Sequence, residues 1–214
     1  MIDLWGRKNA YNVQKVLWAL DELELEYRHY DVGSLSGDLT TPEYLAINPH
    51  ARIPTIRDKN GVVWESNSII RYLGNEYGGN DLWPQDAYQR SCAERWMDWE
   101  LTKLQPDFID LFWGHYRKLE TQRNLPEIES SRLACQTHFD LLDDHLSRFP
   151  YLSGDHFTLG EIPCATGLFR YFNMGIDVDK PPHVMRWYKN LSERGPFKRN
   201  IAVAFDELKG RVDF

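Results

Sequence analysis

Apolar residues at Val13, Val16, Leu17, Leu20 and Leu23 recur every three or four positions, which predicts an amphipathic helix over 12–24. Short apolar runs flank it, and MIDLW (1–5) and EYRHYDV (26–32) read as strands. TTPEYLAIN (40–48) contains a short helix, with Thr41 placed to cap it and Pro42 at its first position. PTIRD (54–58) and GVVWES (61–66) are two more short strands, separated by the hairpin signal KNG. SNSIIRYLGNEYG (66–78) is helical again and runs into glycines. The predicted order is βαβ–α–ββ–α.

Beyond residue 87 the strand pattern disappears. Helical periodicity fills 87–117, 128–148, 159–172, 183–193 and 196–208, punctuated by Pro126, Pro150, Gly154, Pro181–Pro182 and Gly195–Pro196. The polar stretch GGNDLWPQD (78–86) carries a Trp-Pro anchor and separates the two patterns. The expected division is a mixed α/β domain over 1–79, a linker over 80–86 and an all-helical domain over 87–214.

Composition narrows the function. The 214 residues are 42% hydrophobic and 27% charged, as in an ordinary globular chain. No apolar run reaches the ~18–20 residues of a membrane span, and the N-terminus lacks a signal-peptide pattern. A cytoplasmic protein with no membrane partner is expected. The net charge of −7 argues against nucleic-acid binding. It leaves room for a local basic pocket. The eight tryptophans and eleven tyrosines suit a site for flat apolar ligands as well as a core. Cys92, Cys135 and Cys164 are odd in number and widely spaced, so neither a disulfide framework nor a metal site is expected.

Three stretches carry candidate chemistry. In NPHARIPTI (48–56), Pro54 opens a strand after a β-branched residue. A cis bond there would turn the N–H and C=O of Ile53 outward, to pair with a peptide ligand as an added strand would. The alternative is an ordinary trans proline opening an edge strand. In WESNSII (64–70), Ser66 opens a helix whose first turn suits a carboxylate, and Glu65 suits an ammonium group. Together they match an α-amino acid head; the alternative is that Ser66 only caps its own helix. The loop WGRKNAYNVQKV (5–16) lies between strand and helix yet contains no cysteine, serine or histidine. Any nucleophile comes from elsewhere.

The combination of NAYNVQK, NPHARIP about forty residues later and ESNSII about a dozen beyond resembles the cytosolic glutathione transferase family, of the non-cysteine, theta- or nu-like bacterial kind. The resemblance covers essentially the whole chain. It implies a thioredoxin-like N-terminal domain and an all-α C-terminal domain. It implies glutathione as cosubstrate and no metal. On this reading Pro54 is cis, Ile53 binds the cysteinyl backbone, and Glu65 and Ser66 hold the γ-glutamyl head. Arg52 lies beside the glycyl end and would pair with its carboxylate; His50 would do the same or, as the alternative, is a solvated loop histidine. In SGDHFTLGEIPCA (153–165), Thr158 and Glu161 match the family's capping box, with Phe157 and Ile162 as its staple.

Glutathione brings its own thiol, so the protein has only to stabilise the thiolate. Relatives carry serine or threonine where this chain has Ala10, which has no hydroxyl. Asn12 matches a second position used by some relatives, and its amide could donate to sulfur; it could instead cap its helix. Tyr11 reads as pocket wall or core. The loop has no cysteine, which disfavours a glutaredoxin-type mechanism through a protein thiol.

The electrophile is expected above the sulfur. RWMDWELTKLQPDFIDLFWGHYR (95–117) supplies Trp99, Phe112, Trp113 and Tyr116, among which Trp113 and Tyr116 join Tyr11 as candidate walls of a hydrophobic-substrate pocket. Asp98 either reaches a partner subunit's glutathione or lies on a solvated face. The family implies a homodimer through 66–77 and 87–117. The expected function is conjugation of glutathione to small hydrophobic electrophiles. Alternatives are a glutathione-dependent disulfide or peroxide reductase and a non-catalytic binding module.

Overall fold

The computed structural model describes residues 1–33 and 37–212. Its N-terminal part follows the predicted order: β1 (Ile2–Trp5), α1 (Tyr11–Glu22), β2 (Tyr27–Tyr30), α2 (Pro42–Leu45), β3 (Thr55–Arg57), β4 (Val62–Trp64) and α3 (Ser66–Tyr77). The strands form one sheet in the order β2-β1-β3-β4. β1 runs parallel to β2, as a crossover through α1 requires, and β3 is antiparallel to both its neighbours. Ile2 and Leu4 bury one face of the central strand. Asp3, on the other face, is held by Arg28 at 2.8 Å and Arg57 at 3.3 Å from the strands on either side.

Strand register brings distant loops together. Thr55 pairs with Trp5 on one side and with Trp64 on the other. The loop leaving β1, the Ile53-Pro54 step entering β3 and the Glu65-Ser66 step leaving β4 therefore meet at one end of the sheet.

From Ala87 to Arg117 the chain is one continuous helical run: α4 (Ala87–Trp99), a π-helical turn (Glu100–Leu104), α5 (Gln105–Phe112) and a second π-helical turn (Trp113–Arg117). α6 (Leu125–Arg148) packs along α5. The helix predicted over 159–172 is two short ones, α7 (Glu161–Thr166) and α8 (Leu168–Asn173), parted at Gly167. α9 (Pro182–Ser192) and α10 (Gly195–Asn200) come next. The helix predicted over 196–208 stops at Asn200. Beyond it, Phe205 turns inward against Tyr116 and Phe112, at 4.9 and 6.0 Å, and burying that ring overrides the local pattern.

The two parts share one core. Amphipathic spacing gives α1 a polar face for solvent, but Trp18 and Lys15 on that face are as buried as Val13 and Leu20, because α7 and α10 cover it. Trp83 anchors the connector as expected. It is fully buried against Gly74 of α3, where a Cβ would come within 2.6 Å of the indole. The predicted capping box takes a different form. Thr158 Oγ1 accepts from the N–H of Gly160 at 3.2 Å, but among the described residues the Glu161 carboxylate does not return to the Thr158 N–H. The carboxylate instead accepts from the N–H groups of Leu152 and Ser153, the Ser153 hydroxyl and the Trp187 indole, all within 2.9 Å. A buried carboxylate needs several donors, and the turn at 152–153 offers more than the helix start does. Among the described residues no helix is long and apolar enough to cross a membrane.

Candidate functional site

The end of the sheet where Trp5, Thr55 and Trp64 align gathers the three candidate stretches. Gly6 starts the opening loop with φ +147°, and a Cβ there would lie 2.5 Å from Val13 and 3.2 Å from Ile53. Only glycine lets the loop pass between α1 and the Ile53-Pro54 step.

The Ile53-Pro54 bond is cis. Among the described residues nothing pairs with the N–H or C=O of Ile53. The approach to it is fixed by residues with no motif of their own in the sequence. Tyr44 Oη and Asn48 Nδ2 donate to the Arg52 carbonyl at 2.6 and 2.9 Å, and both contact the Thr55 hydroxyl at 3.0 Å. The signal that could have found them is an asparagine and a threonine bracketing a proline loop, both of them buried. The Arg52 side chain is exposed at the rim. The His50 ring packs against Trp64 at 4.9 Å.

α3 begins differently from the alternative in which Ser66 only caps its own helix. Glu65 occupies the N-cap position with φ +71°, its side chain makes no cap bond, and Ser66 is the first helical residue, 5% exposed. A non-glycine residue held at positive φ costs of order 1 kcal/mol or more, and such positions cluster at functional sites. The exposed Glu65 carboxylate and the Ser66 hydroxyl have no hydrogen-bond partner among the described residues, so both remain free to meet a ligand.

α1 is capped by Ala10, and no side chain caps it. The alternative reading of Asn12 as a cap therefore falls. Asn12 sits in the first turn with its Oδ1 buried and without a hydrogen-bond partner. The N–H groups of Tyr11, Asn12 and Val13 precede the first intrahelical bond, from Gln14 N–H to the Ala10 carbonyl. An unpartnered acceptor, Asn12 Oδ1, and a helix N-terminus thus lie where the loop ends.

Tyr11 points elsewhere. Its hydroxyl donates to Glu100 Oε1 at 3.0 Å, and its ring packs 5.5 Å from Phe108. Burial, reinforced by Glu100, holds its pKa well above the ordinary tyrosine value. Glu100 also receives Lys15 Nζ on both oxygens, at 2.9 and 3.0 Å, and Lys15 donates a third time to Gln105 at 2.7 Å. Neither Lys15 nor Glu100 has any exposed surface. Burial pulls the lysine pKa down and pushes the carboxyl up, each opposed by the partner's charge. This pair, invisible in the sequence, ties α1 to the helical part.

The aromatic candidates separate. Phe108, Phe112 and Tyr116 lie at four-residue spacing along one face, with successive ring centroids 5.9 and 5.2 Å apart. Tyr11 joins the lower end of that ladder. Trp113 lies on another face with Asp110 and Gly114, where it lines a cavity of about 340 Å³ with Ile128 and Lys118 and stacks under Arg117. Asp98 is 66% exposed and pairs with Arg71 of α3.

Known proteins resemble this chain in sequence and fold. Residues 12–76 match the glutathione S-transferase N-terminal domain and 126–190 its C-terminal domain. Glutathione S-transferase GstB of Escherichia coli K12 is 37% identical over 95% of this chain and 99% of its own. Glutathione S-transferase 3 of Zea mays is 29% identical over 94% of each chain. The crystal structure of the theta class glutathione S-transferase of Xanthomonas axonopodis pv. citri with glutathione bound superposes with a TM-score of 0.90, at 37% identity over 95% of this chain and 98% of that one. The two family matches, a relative 37% identical over nearly the whole chain and the superposed fold converge, and the chain belongs to the glutathione S-transferase family.

Proposed function

We propose that the protein binds reduced glutathione at the Trp5–Thr55–Trp64 end of the sheet, stabilises its thiolate and transfers it to small hydrophobic electrophiles. The observation that carries this reading is the register, which brings the unpaired Ile53 backbone, the free Glu65-Ser66 pair and the start of α1 with Asn12 to one end of the sheet. Residues 1–79 form the glutathione-binding part, 80–86 the link, and 87–214 the part that walls the electrophile.

The roles follow from chemistry. Ile53 N–H and C=O pair with the cysteinyl residue as an added strand does. Glu65 takes the γ-glutamyl ammonium, and Ser66 with the first-turn N–H groups of α3 takes its carboxylate. Exposed Arg52 is placed for the glycyl carboxylate. A free thiol with pKa near ~8.5 is mostly protonated at neutral pH. Asn12 Nδ2 and the N-terminus of α1 donate toward the sulfur and favour the anion. The thiol proton leaves to solvent, the sulfur forms a bond to the electrophilic carbon, and the leaving group departs with the bonding electrons. Tyr116, with the Phe108–Phe112 face and the Tyr11 ring at its end, contributes the apolar wall, whereas Trp113 lines a separate cavity on another face.

A homodimer through α3 and α4, a cytoplasmic location and a role in detoxification complete the proposal. Turnover of a chloronitrobenzene with glutathione tests it against turnover of hydroxyethyl disulfide. Conjugation should dominate. Disulfide reduction without conjugation would transfer the site to the reductase reading.

A further inference from the structure

Arg170, on α8, is 4% exposed, and a single nitrogen, Nη2, donates to the Asn9 carbonyl at 2.7 Å and to Gln14 Oε1 at 2.9 Å. Both acceptors are neutral. Its guanidinium faces the rings of Phe112 and Phe205, at 5.4 and 5.9 Å. The opening loop, α1, α5 and the C-terminal segment therefore meet on one buried cation. A buried charge with no carboxylate in contact among the described residues is costly to maintain, and a neutral amide would satisfy the same acceptors without that cost. The charge itself needs an explanation.

The charged and titratable groups facing it are Arg7 of the opening loop, Tyr11 of α1, Arg117 at the end of the long helical run and Glu207 of the C-terminal segment. Glu207, the carboxylate among them, is exposed and accepts from Asn9 Nδ2 at 2.6 Å. The neighbouring Lys15–Glu100 pair compensates itself. Burial lowers the Arg170 pKa to about 10, which leaves the guanidinium charged at neutral pH. The Arg170 charge thus stands behind the loop that carries Ala10 and Asn12.

We propose that Arg170 is a positioning residue for the glutathione sulfur: it fixes the opening loop by the Asn9 carbonyl and places a buried positive charge beside the N-terminus of α1 that favours the thiolate. This role rests on glutathione being the ligand of the groove. Arg170 does not touch the reacting atoms. It takes over part of the stabilisation that a hydroxyl at position 10 would give.

The test is the pKa of bound glutathione, read from thiolate ultraviolet absorbance and from the pH profile of kcat/KM with a chloronitrobenzene. Arg170→Gln should raise that pKa by about one unit, cut the rate about tenfold on the acid side and recover it at alkaline pH. Retention on glutathione-agarose should persist. Arg170→Lys should titrate close to wild type. Gln14→Glu sets a carboxylate against the guanidinium without removing it and should produce the same upward shift; it decides the matter alone if Arg170→Gln does not fold. Wild-type profiles in both Arg170→Gln and Gln14→Glu, or a rate loss uniform across pH, would overturn the proposal. A wild-type protein with no thiolate signal would overturn the glutathione reading itself. A normal wild-type signal with unmoved variants would overturn only the role of Arg170.

Discussion

Trp64 lies opposite Thr55 in the β3–β4 ladder, so Glu65 leaves the sheet at the same end where Pro54 enters it. A shift of one residue in that pairing would turn the Thr55 hydroxyl out of its contacts with Tyr44 and Asn48 and separate the two halves of the groove. The site is in this sense a property of strand register before it is a property of any one side chain.

Asn12 is expected to act on the sulfur more than on the rest of glutathione. Asn12→Ala should lower kcat by roughly 10- to 100-fold, the loss expected of one hydrogen bond to a charged group, with glutathione affinity little changed. Steady-state kinetics with varied glutathione and varied electrophile separate the two effects. An unchanged kcat would assign the thiolate to the α1 N–H groups and Arg170.

Ser66 and Glu65 are expected to act on binding. Ser66→Ala should weaken glutathione binding by about 1 kcal/mol or more, the cost of one hydrogen bond to a charged group, while kcat at saturating glutathione persists. Isothermal titration gives the affinity directly. Equal affinity for wild type and variant would remove Ser66 from the site.

Much of this is legible in the chain. The hairpin at KNG, the helix starting at 66 and the spacing of NPHARIP and ESNSII place the site, because they depend on local turn chemistry and short-range periodicity. Lys15 is not legible. On α1 it sits where amphipathic spacing calls for a solvated side chain, and it is buried by the covering helices α7 and α10 and paired with Glu100, 85 positions away. Arg170 and the true partners of Glu161 are hidden for the same reason. Asn9 and Trp187 reach them through tertiary packing and leave no pattern nearby.

The Lys15–Glu100 pair offers a stability test. Lys15→Met should destabilise the fold by about 3–5 kcal/mol, because it leaves a buried carboxyl without its cation. The double variant Lys15→Met with Glu100→Leu should recover most of that loss. Urea unfolding of the two variants measures the difference. Equal stability of the single and double variants would contradict the coupling.

Glu161 predicts a pH dependence. Burial pushes its carboxyl up to about 7 despite its hydrogen-bond donors. An unfolded glutamate titrates near ~4.3, so between these values the folded chain binds more protons than the unfolded one. The group's contribution is therefore fully present below about pH 4 and is lost as pH rises through about 7. Relative to Glu161→Gln, wild type should lose roughly 2 kcal/mol between pH 5 and 7.5 in urea unfolding. Parallel pH profiles for the two proteins would show that the carboxyl stays ionised throughout.

Calorimetric titration of the purified wild-type protein with reduced glutathione tests the central claim most directly. The predicted result is saturable uptake at one site per chain, accompanied at neutral pH by release of the thiol proton to the buffer. Absence of any uptake would leave the groove at Trp5, Thr55 and Trp64 without its reagent and would contradict the proposed reaction.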